Sequence, residues 1–417
     1  MSSPDTPTIY AELLANIRQL SVAVSLPSPS DGRSSQGTIS ADGASLTVRH
    51  RDARASLALP CKVAVKSALL PAPAPGSRTI TWRLPLHDSS APSPRSPPDD
   101  PAPWAAPSLV PLSAVTCRRC EGAVVPEGKA AEWKDLPSEN WAEMMDFWHC
   151  HKPTAEDDGH GGAEHEHLAK RGYGANSSIA ARSGTGLVDL TSLLFSEVDC
   201  AGLVFSTSSY DTGSGSSAAV LLGTAAEPVP RMLYVFCKSC ESHVGFFNVA
   251  IASVVLLKWR VSCRTTEPSS PPSSPDCLAA TLAATLSRSG SSKSAVVPSF
   301  SPPGGDGASA PSLHLWILNG NITYASTQRR GPRVAIKVLF KEIAQREADA
   351  MLESLTSDVQ EVNLPAGDIG TAVQVLRASN GLLPRSERVF QGWNVGLLDK
   401  WQPGGGVGCA GGGVDGR

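Results

Sequence analysis

Aromatic residues make up only 6% of the 417-residue chain and charged residues 18%. So little of either is expected to leave folded segments separated by uncompacted ones. Neither sign of charge dominates: 36 Lys and Arg stand against 39 Asp and Glu, a formal net charge of -3. That field is too weak to hold a phosphate backbone unaided, so nucleic acid is not the expected partner. Long apolar runs are also missing. The longest, Val244 to Leu257, is broken by Asn248 and falls short of the ~20 residues a membrane helix needs, so it reads as buried strand and no membrane partner is expected. Asp5, Glu12 and Arg18 interrupt the first twenty residues, and no secretory signal is expected there. No glycine-rich phosphate loop, G-x-S-x-G or His-Glu-x-x-His motif occurs, which takes away the familiar nucleotide-binding and hydrolase sites.

What is present in quantity is glycine and proline, 37 and 34 residues, and their distribution divides the chain. Residues 8–88 contain Ile9 to Leu26, Leu46-Thr-Val-Arg, Ala55-Ser-Leu-Ala-Leu and Arg78 to Leu84, whose alternation predicts an antiparallel sheet. Residues 89–108 are rich in Pro and Ser and read as an unstructured linker. A first Cys-x-x-Cys unit and a tryptophan-bearing helix occupy 109–156, a flexible insertion 157–186, and a second Cys-x-x-Cys unit with a β-rich segment 187–264. Ser and Pro runs mark 265–307 as a second disordered linker. The region 308–402 is expected to be a compact α+β layer. Its strands are Leu313 to Leu318, Ala335 to Phe340 and Val359 to Leu364, and its helices Glu342 to Leu355 and Gly370 to Ala378. A glycine-rich tail, 403–417, follows. The fold class is thus α+β, with a β-rich N-terminal and central part, an α+β C-terminal layer and disordered insertions between.

Ten cysteines without an export signal point to reduced thiols in cytoplasm and nucleus, where closely spaced pairs serve metals more often than disulfides. Cys117-Arg-Arg-Cys120 and Cys237-Lys-Ser-Cys240 each follow a predicted strand. Two intervening residues let both sulfurs of a pair face one tetrahedral centre, and two such knuckles close a four-sulfur zinc site. A thiol-disulfide exchange pair is the alternative use of the same spacing. A closed four-cysteine site leaves no position for substrate, so the zinc is expected to be structural, stapling the N-terminal sheet to the middle of the chain.

Between the knuckles lies Leu136-Pro-Ser-Glu-Asn-Trp-Ala-Glu-Met-Met-Asp-Phe-Trp-His-Cys-His-Lys-Pro153. Ser138 can cap a helix here and Glu139 suits its positive end, while Trp141, Met144, Met145 and Trp148 share one face and Pro153 stops the element. That stripe fits core packing as well as partner contact. His149, Cys150 and His151 fall at the helix C-terminus, where the dipole raises a thiol pKa and opposes nucleophilic attack. A cation reverses that, so Cys150 is better suited to ligate a metal, including one carried by a partner, than to attack a carbonyl unaided, with an inert buried cysteine as the alternative. His160, His165 and His167 with Glu164 and Glu166 imitate a metal cluster within glycine-rich sequence.

The Leu-Pro-Ser-Glu-Asn-Trp run ending in Trp148-His-Cys-His, framed by the two Cys-x-x-Cys units, resembles the HECT-like family of ubiquitin-conjugating-enzyme (E2)-binding proteins. The resemblance continues through Leu315-Trp-Ile-Leu-Asn319, Ile336-Lys-Val-Leu339, Leu364-Pro365 and Ser379-Asn-Gly-Leu-Leu-Pro384. It implies a ubiquitin-protein ligase that accepts ubiquitin from an E2 and passes it to substrates such as cyclins, with E2 contact through roughly Val244 to Arg260. It also implies a link to the endonuclease subunit of the pre-mRNA 3′-end processing machinery. In that role the 136–153 stretch is the docking motif, with Trp141, Trp148, Cys150 and His151 as partner-binding residues. One departure concerns catalysis: Leu364-Pro365 is followed by Ala-Gly-Asp-Ile-Gly-Thr rather than by the thioester-forming cysteine of HECT ligases. The only later thiol, Cys409, lies in the glycine tail, which leaves Cys150 as the candidate catalytic thiol.

Overall fold

The structure is a computed structural model, and it describes residues 6–64, 68–87, 102–136, 179–208, 216–223, 232–299, 311–354 and 356–403. Alternating apolar residues run through most of these segments, and the molecule is accordingly built of sheets. The largest has nine strands. Its central ribbon pairs Pro311–Ser326 with Arg333–Ala344, and Trp393–Asp399 and Val389–Phe390 continue it on one side. On the other side Thr8–Leu14, Gln19–Ser25 and Thr79–Pro85 extend it, joined where Tyr10 meets Ser326 in register. Lys293–Pro298 lies beside the N-terminal half of Pro311–Ser326, and Gln360–Leu364 runs parallel to it.

A seven-stranded sheet forms the middle of the molecule, in the order Leu203–Ser206, Met232–Cys237, His243–Asn248, Ser253–Leu257, Ser192–Ser196, Thr185–Val188 and Glu132–Asp135. Two three-stranded sheets complete the β structure. One joins Val261–Ser262, Val115–Cys117 and Ala123–Val125, the other Ser35–Ile39, Ser45–His50 and Ala53–Ala58. Four α-helices occur among the described residues: α1 (Ser217–Gly223), α2 (Ser274–Ser289), α3 (Gln345–Glu353) and α4 (Ala366–Asn380).

Helices α2 and α4 fill the space between the two large sheets. Leu278 and Leu282 of α2 and Ile369, Ala372 and Leu376 of α4 meet Leu313, Leu315, Ile336, Val338 and Phe340 from the main sheet. Tyr234, Phe236, Phe246 and Trp259 reach the same core from the seven-stranded sheet. The opposite face of the seven-stranded sheet carries a second core, with Phe195, Leu233, Val235, Val244, Val254 and Leu256 packed on Trp104, Val115, Val124 and Trp133. Because alternate residues of Met232–Cys237 enter different cores, this strand ties both together and ends at a cysteine of the second knuckle.

The structure corrects several expected boundaries. Residues 265–307 are not a bare linker, since α2 lies within them and Lys293–Pro298 is a strand. The Ser and Pro run that suggested disorder supplies the helix start: Ser273 and Asp276 form a reciprocal capping box, and Gly290 closes the other end at φ 68. Residues 102–108 of the expected linker are packed. Trp104 is 1% exposed, and the buried Lys258 ammonium donates to the Pro103 carbonyl at 2.5 Å. The last residues of the expected 157–186 insertion are also anchored. Asp199 accepts from Ser183 Oγ and from the Gly184 N–H, both at 2.8 Å, and a strand begins at Thr185. Among the N-terminal strands, Thr8–Leu14, Gln19–Ser25 and Thr79–Pro85 continue the sheet of the C-terminal layer, while Ser35–Ile39, Ser45–His50 and Ala53–Ala58 form a sheet of their own. The helix expected at 342–355 begins at Gln345, after strand pairing through Ala344.

Candidate metal centre

Two copies of one turn build the site. Val115–Cys117 delivers Cys117, a tight turn carries Cys120, and Ala123–Val125 leads away. Met232–Cys237 and His243–Asn248 repeat the arrangement around Cys237 and Cys240. In the first turn the Cys117 N–H donates to the Gly122 carbonyl and the Glu121 N–H to the Cys117 carbonyl, both at 2.8 Å. In the second, the Cys237 N–H donates to the Ser242 carbonyl at 2.9 Å and the Glu241 N–H to the Cys237 carbonyl at 2.8 Å. Glu121 and Glu241 both take the left-handed conformation, at φ 61 and 56. That costs a residue with a Cβ roughly 1 kcal/mol, so something beyond local preference holds each turn.

The sulfurs show what they converge on. Cys117 Sγ is 3.7 Å from Cys240 Sγ and Cys120 Sγ is 3.5 Å from Cys237 Sγ, and all four atoms lie within 4.8 Å of one another. Disulfides require about 2.05 Å between sulfurs. Four thiolates placed tetrahedrally at about 2.3 Å from a shared ion sit roughly 3.8 Å apart, which is the spacing observed. The donor set and its geometry therefore fit a zinc-type four-thiolate centre.

Cys117 and Cys237 form the buried floor, at 1% and 2% exposure, while Cys120 and Cys240 sit nearer the surface. Burial pushes the Cys117 thiol up to about 12, whereas the Ser242 hydroxyl, 3.3 Å away, stabilises the Cys240 thiolate and brings it down to about 6. Arg119 donates to that hydroxyl at 3.2 Å, so a cation in the first knuckle supports the thiolate of the second. Arg118 fastens the first knuckle to its surroundings through the Trp259 carbonyl at 3.1 Å and the Pro272 carbonyl at 3.2 Å. Reading the pairs as cysteine spacing alone overlooked Arg118, Arg119 and Ser242. The signal was the basic and hydroxyl residues inside and beside the knuckles.

The four cysteines expected to act together are thus brought together, but they join other partners than expected. The cluster links the small sheet containing Val115–Cys117 to the seven-stranded sheet, not to the N-terminal strands. The stretch proposed for E2 contact, Val244 to Arg260, is largely interior: Val244, Val254, Leu256 and Lys258 are all 0% exposed. Its strand side chains fill the two cores on either side of the seven-stranded sheet, which leaves the turn at Ala250 and Ala252 as its exposed part. Trp141, Trp148, Cys150 and His151, with the 136–153 helix beyond Leu136, lie outside the described residues. The histidine cluster and Cys409 lie outside them as well.

The molecule is thus an α+β chain in which two sheets meet at a paired-knuckle cluster of four cysteines. The sequence matches the family model described as HECT-like ubiquitin-conjugating enzyme (E2)-binding over residues 12–395, and the chain belongs to that family. Membership connects it to the ubiquitin pathway. Among curated proteins it is similar to an uncharacterized protein of Saccharomyces cerevisiae, 38% identical over 45 residues, or 11% of this chain and 13% of that protein. An uncharacterized protein of Schizosaccharomyces pombe is 44% identical over 39 residues, 9% of this chain and 11% of that protein. These matches therefore span about an eighth and a ninth of the relatives' own length. No solved structure matches the chain.

Proposed function

We propose that this protein is a ubiquitin-protein ligase that binds a charged E2 and directs ubiquitin to protein substrates, cyclins among them, in cytoplasm and nucleus. The observation that carries the reading is the family match along nearly the whole chain, 12–395. In this reading Cys117, Cys120, Cys237 and Cys240 hold one zinc ion, which supplies a fixed fourfold crosslink and takes no part in transfer. Ubiquitin's C-terminal carbonyl leaves the E2 thiol for a substrate lysine amine, and the E2 thiol is released.

Thiol chemistry limits where a covalent relay could run. Burial pushes Cys200, Cys263 and Cys277 up to about 12, which removes their nucleophilic thiolates at neutral pH. The acceptor proposed for such a relay is Cys150. Incubation with charged E2 tests both levels of the claim. The full chain should retain an E2 and speed discharge of ubiquitin onto lysine, and Cys150→Ala should remove any reducible ubiquitin adduct. Failure to bind or discharge any member of an E2 panel would overturn the ligase reading.

One observation favours a second, non-catalytic reading. Leu364-Pro365 leads straight into α4, which contains no cysteine where HECT ligases place theirs. In that reading the protein is a chaperone or regulator of the 3′-end processing endonuclease, docking through residues 136–153 with Cys150 directed at the nuclease's metal. Loss of nuclease pull-down in Cys150→Ala, with E2 discharge unchanged, would support it. Retention of the nuclease by that variant would count against it.

A further inference from the structure

Four arginines gather at one end of the small N-terminal sheet. Arg49 stands directly across from Arg54 in the register of Ser45–His50 and Ala53–Ala58, with Gln36 opposite Arg49 on the other side. Arg51 occupies the intervening turn at φ 54, Arg33 precedes the first strand, and all four are exposed. Opposed residues on an antiparallel pair keep their Cβ atoms about 5 Å apart, where like charges destabilise the sheet. Among the described residues none of the four arginines has an ion-pair partner. The Asp31 carboxylate is taken up by the backbone N–H groups of Arg33 and Ser34. Asp31 and the exposed Asp52 leave the four arginines with a surplus of positive charge, which an anionic ligand would complement.

Beside the arginines lies a cleft of about 550 Å³, with Arg33, Gln36 and Arg49 on one wall and Leu69, Leu70 and Pro71 on the other. Leu69 is 51% exposed. The cleft opens along the edge strand Ser35–Ile39. Residues 68–70 pair with the far half of that strand, through Ile39 N–H to the Ala68 carbonyl and Leu70 N–H to the Gly37 carbonyl, both 2.9 Å. Alternate residues of a strand direct their peptide groups to the same edge, so Ser35 follows Gly37 and Ile39 and turns its N–H and C=O toward the cleft. No described residue takes them up. Pairing lapses there because Pro71 has no N–H to continue it. The segment is tied down again at Ser30, whose N–H donates to the Ser77 carbonyl at 2.9 Å and whose carbonyl accepts from the Gly76 N–H at 2.6 Å, so the window between the two ties exposes the peptide groups of Ser35.

We propose that this cleft binds a short acidic peptide segment of a protein partner. The peptide backbone meets Ser35, carboxylates meet Arg33, Arg49 and Arg54, and an apolar side chain rests on Leu69 and Pro71. The unpaired donor and acceptor of Ser35 and the aliphatic wall favour a peptide over single-stranded nucleic acid, whose backbone lacks amide groups and aliphatic side chains. The proposal is independent of the ubiquitin reading.

The test is fluorescence anisotropy of a fluorescein-labelled peptide alternating Glu and Leu, titrated with the full chain beside a Lys-Leu peptide and a single-stranded oligonucleotide. Saturable binding of the acidic peptide, weakened by salt and by roughly tenfold in Arg33→Glu and Arg49→Glu, is expected. In Arg49→Ala/Arg54→Ala peptide affinity falls while the thermal midpoint holds or rises, because a like-charge contact is gone. A purely structural role would lower the midpoint instead. Absence of binding, equal binding of the two peptides, binding indifferent to these arginines, or an oligonucleotide bound with the same arginine dependence would overturn the proposal.

Discussion

Asp368, at 4% exposure, shows how single side chains brace the region around the knuckles. Its carboxylate accepts the Trp259 indole N–H at 3.0 Å and the Arg260 guanidinium at 3.2 Å. Trp259 in turn offers its carbonyl to Arg118 of the first knuckle. Asp368→Ala strands a buried indole donor, and denaturant unfolding should show a loss of about 2 kcal/mol, kept below that of a fully buried pair because Arg260 reaches solvent. Asp368→Asn, which retains an acceptor, should lose less. His243 makes a second residue-scale test. Burial among Tyr234, Phe236 and Phe246 lowers its pKa to about 4 from 6.5. A base with a depressed pKa binds its proton more readily when unfolded, so its contribution is fully present above about pH 6.5 and drains away as pH falls toward 4. Urea unfolding across that window should show the decline, and His243→Gln should flatten it.

Among the elements, the strands of the seven-stranded sheet and helix α2 carry the clearest expectations. A Cβ at Gly245 would lie 1.9 Å from the Val255 carbonyl oxygen of the neighbouring strand. Gly245→Ala should therefore cost more than about 3 kcal/mol or abolish soluble expression, since backbone cannot yield as a side chain does. Ser273→Ala removes one arm of the α2 capping box and should cost about 1 kcal/mol in thermal or denaturant unfolding. The same helix shows where sequence reading reached its limit. Cys277-Leu-Ala-Ala-Thr-Leu carries helical spacing, but the Ser-Pro run before it matches a linker by composition, and composition does not separate a capped helix start from disorder. Alternation in Leu313 to Leu318 and Ala335 to Phe340 was legible because a sheet with two different faces writes period two into its strands. That Thr8–Leu14 joins those strands was not legible, because partner choice across some 300 residues leaves no local pattern. At the candidate site the paired cysteines could be read from spacing alone, while Arg119 and Ser242 matter only through contacts that the fold creates.

On the scale of the whole molecule, the cysteine cluster brings together segments 117 and 123 residues apart in sequence, as the Cys120–Cys237 and Cys117–Cys240 separations record, and a bound ion would crosslink them. Ties between such distant segments restrict the unfolded chain strongly, and in structural zinc sites the free energy of binding the ion is folding free energy. Chelation should therefore lower the thermal midpoint cooperatively and loosen both cores that Met232–Cys237 joins. The direct measurement is metal content of the purified full chain, by elemental analysis and native mass spectrometry. One zinc per chain is predicted, lost in Cys117→Ser/Cys237→Ser together with the stability it confers. A chain carrying no metal, or one whose four sulfurs are found as two disulfides, would contradict the account.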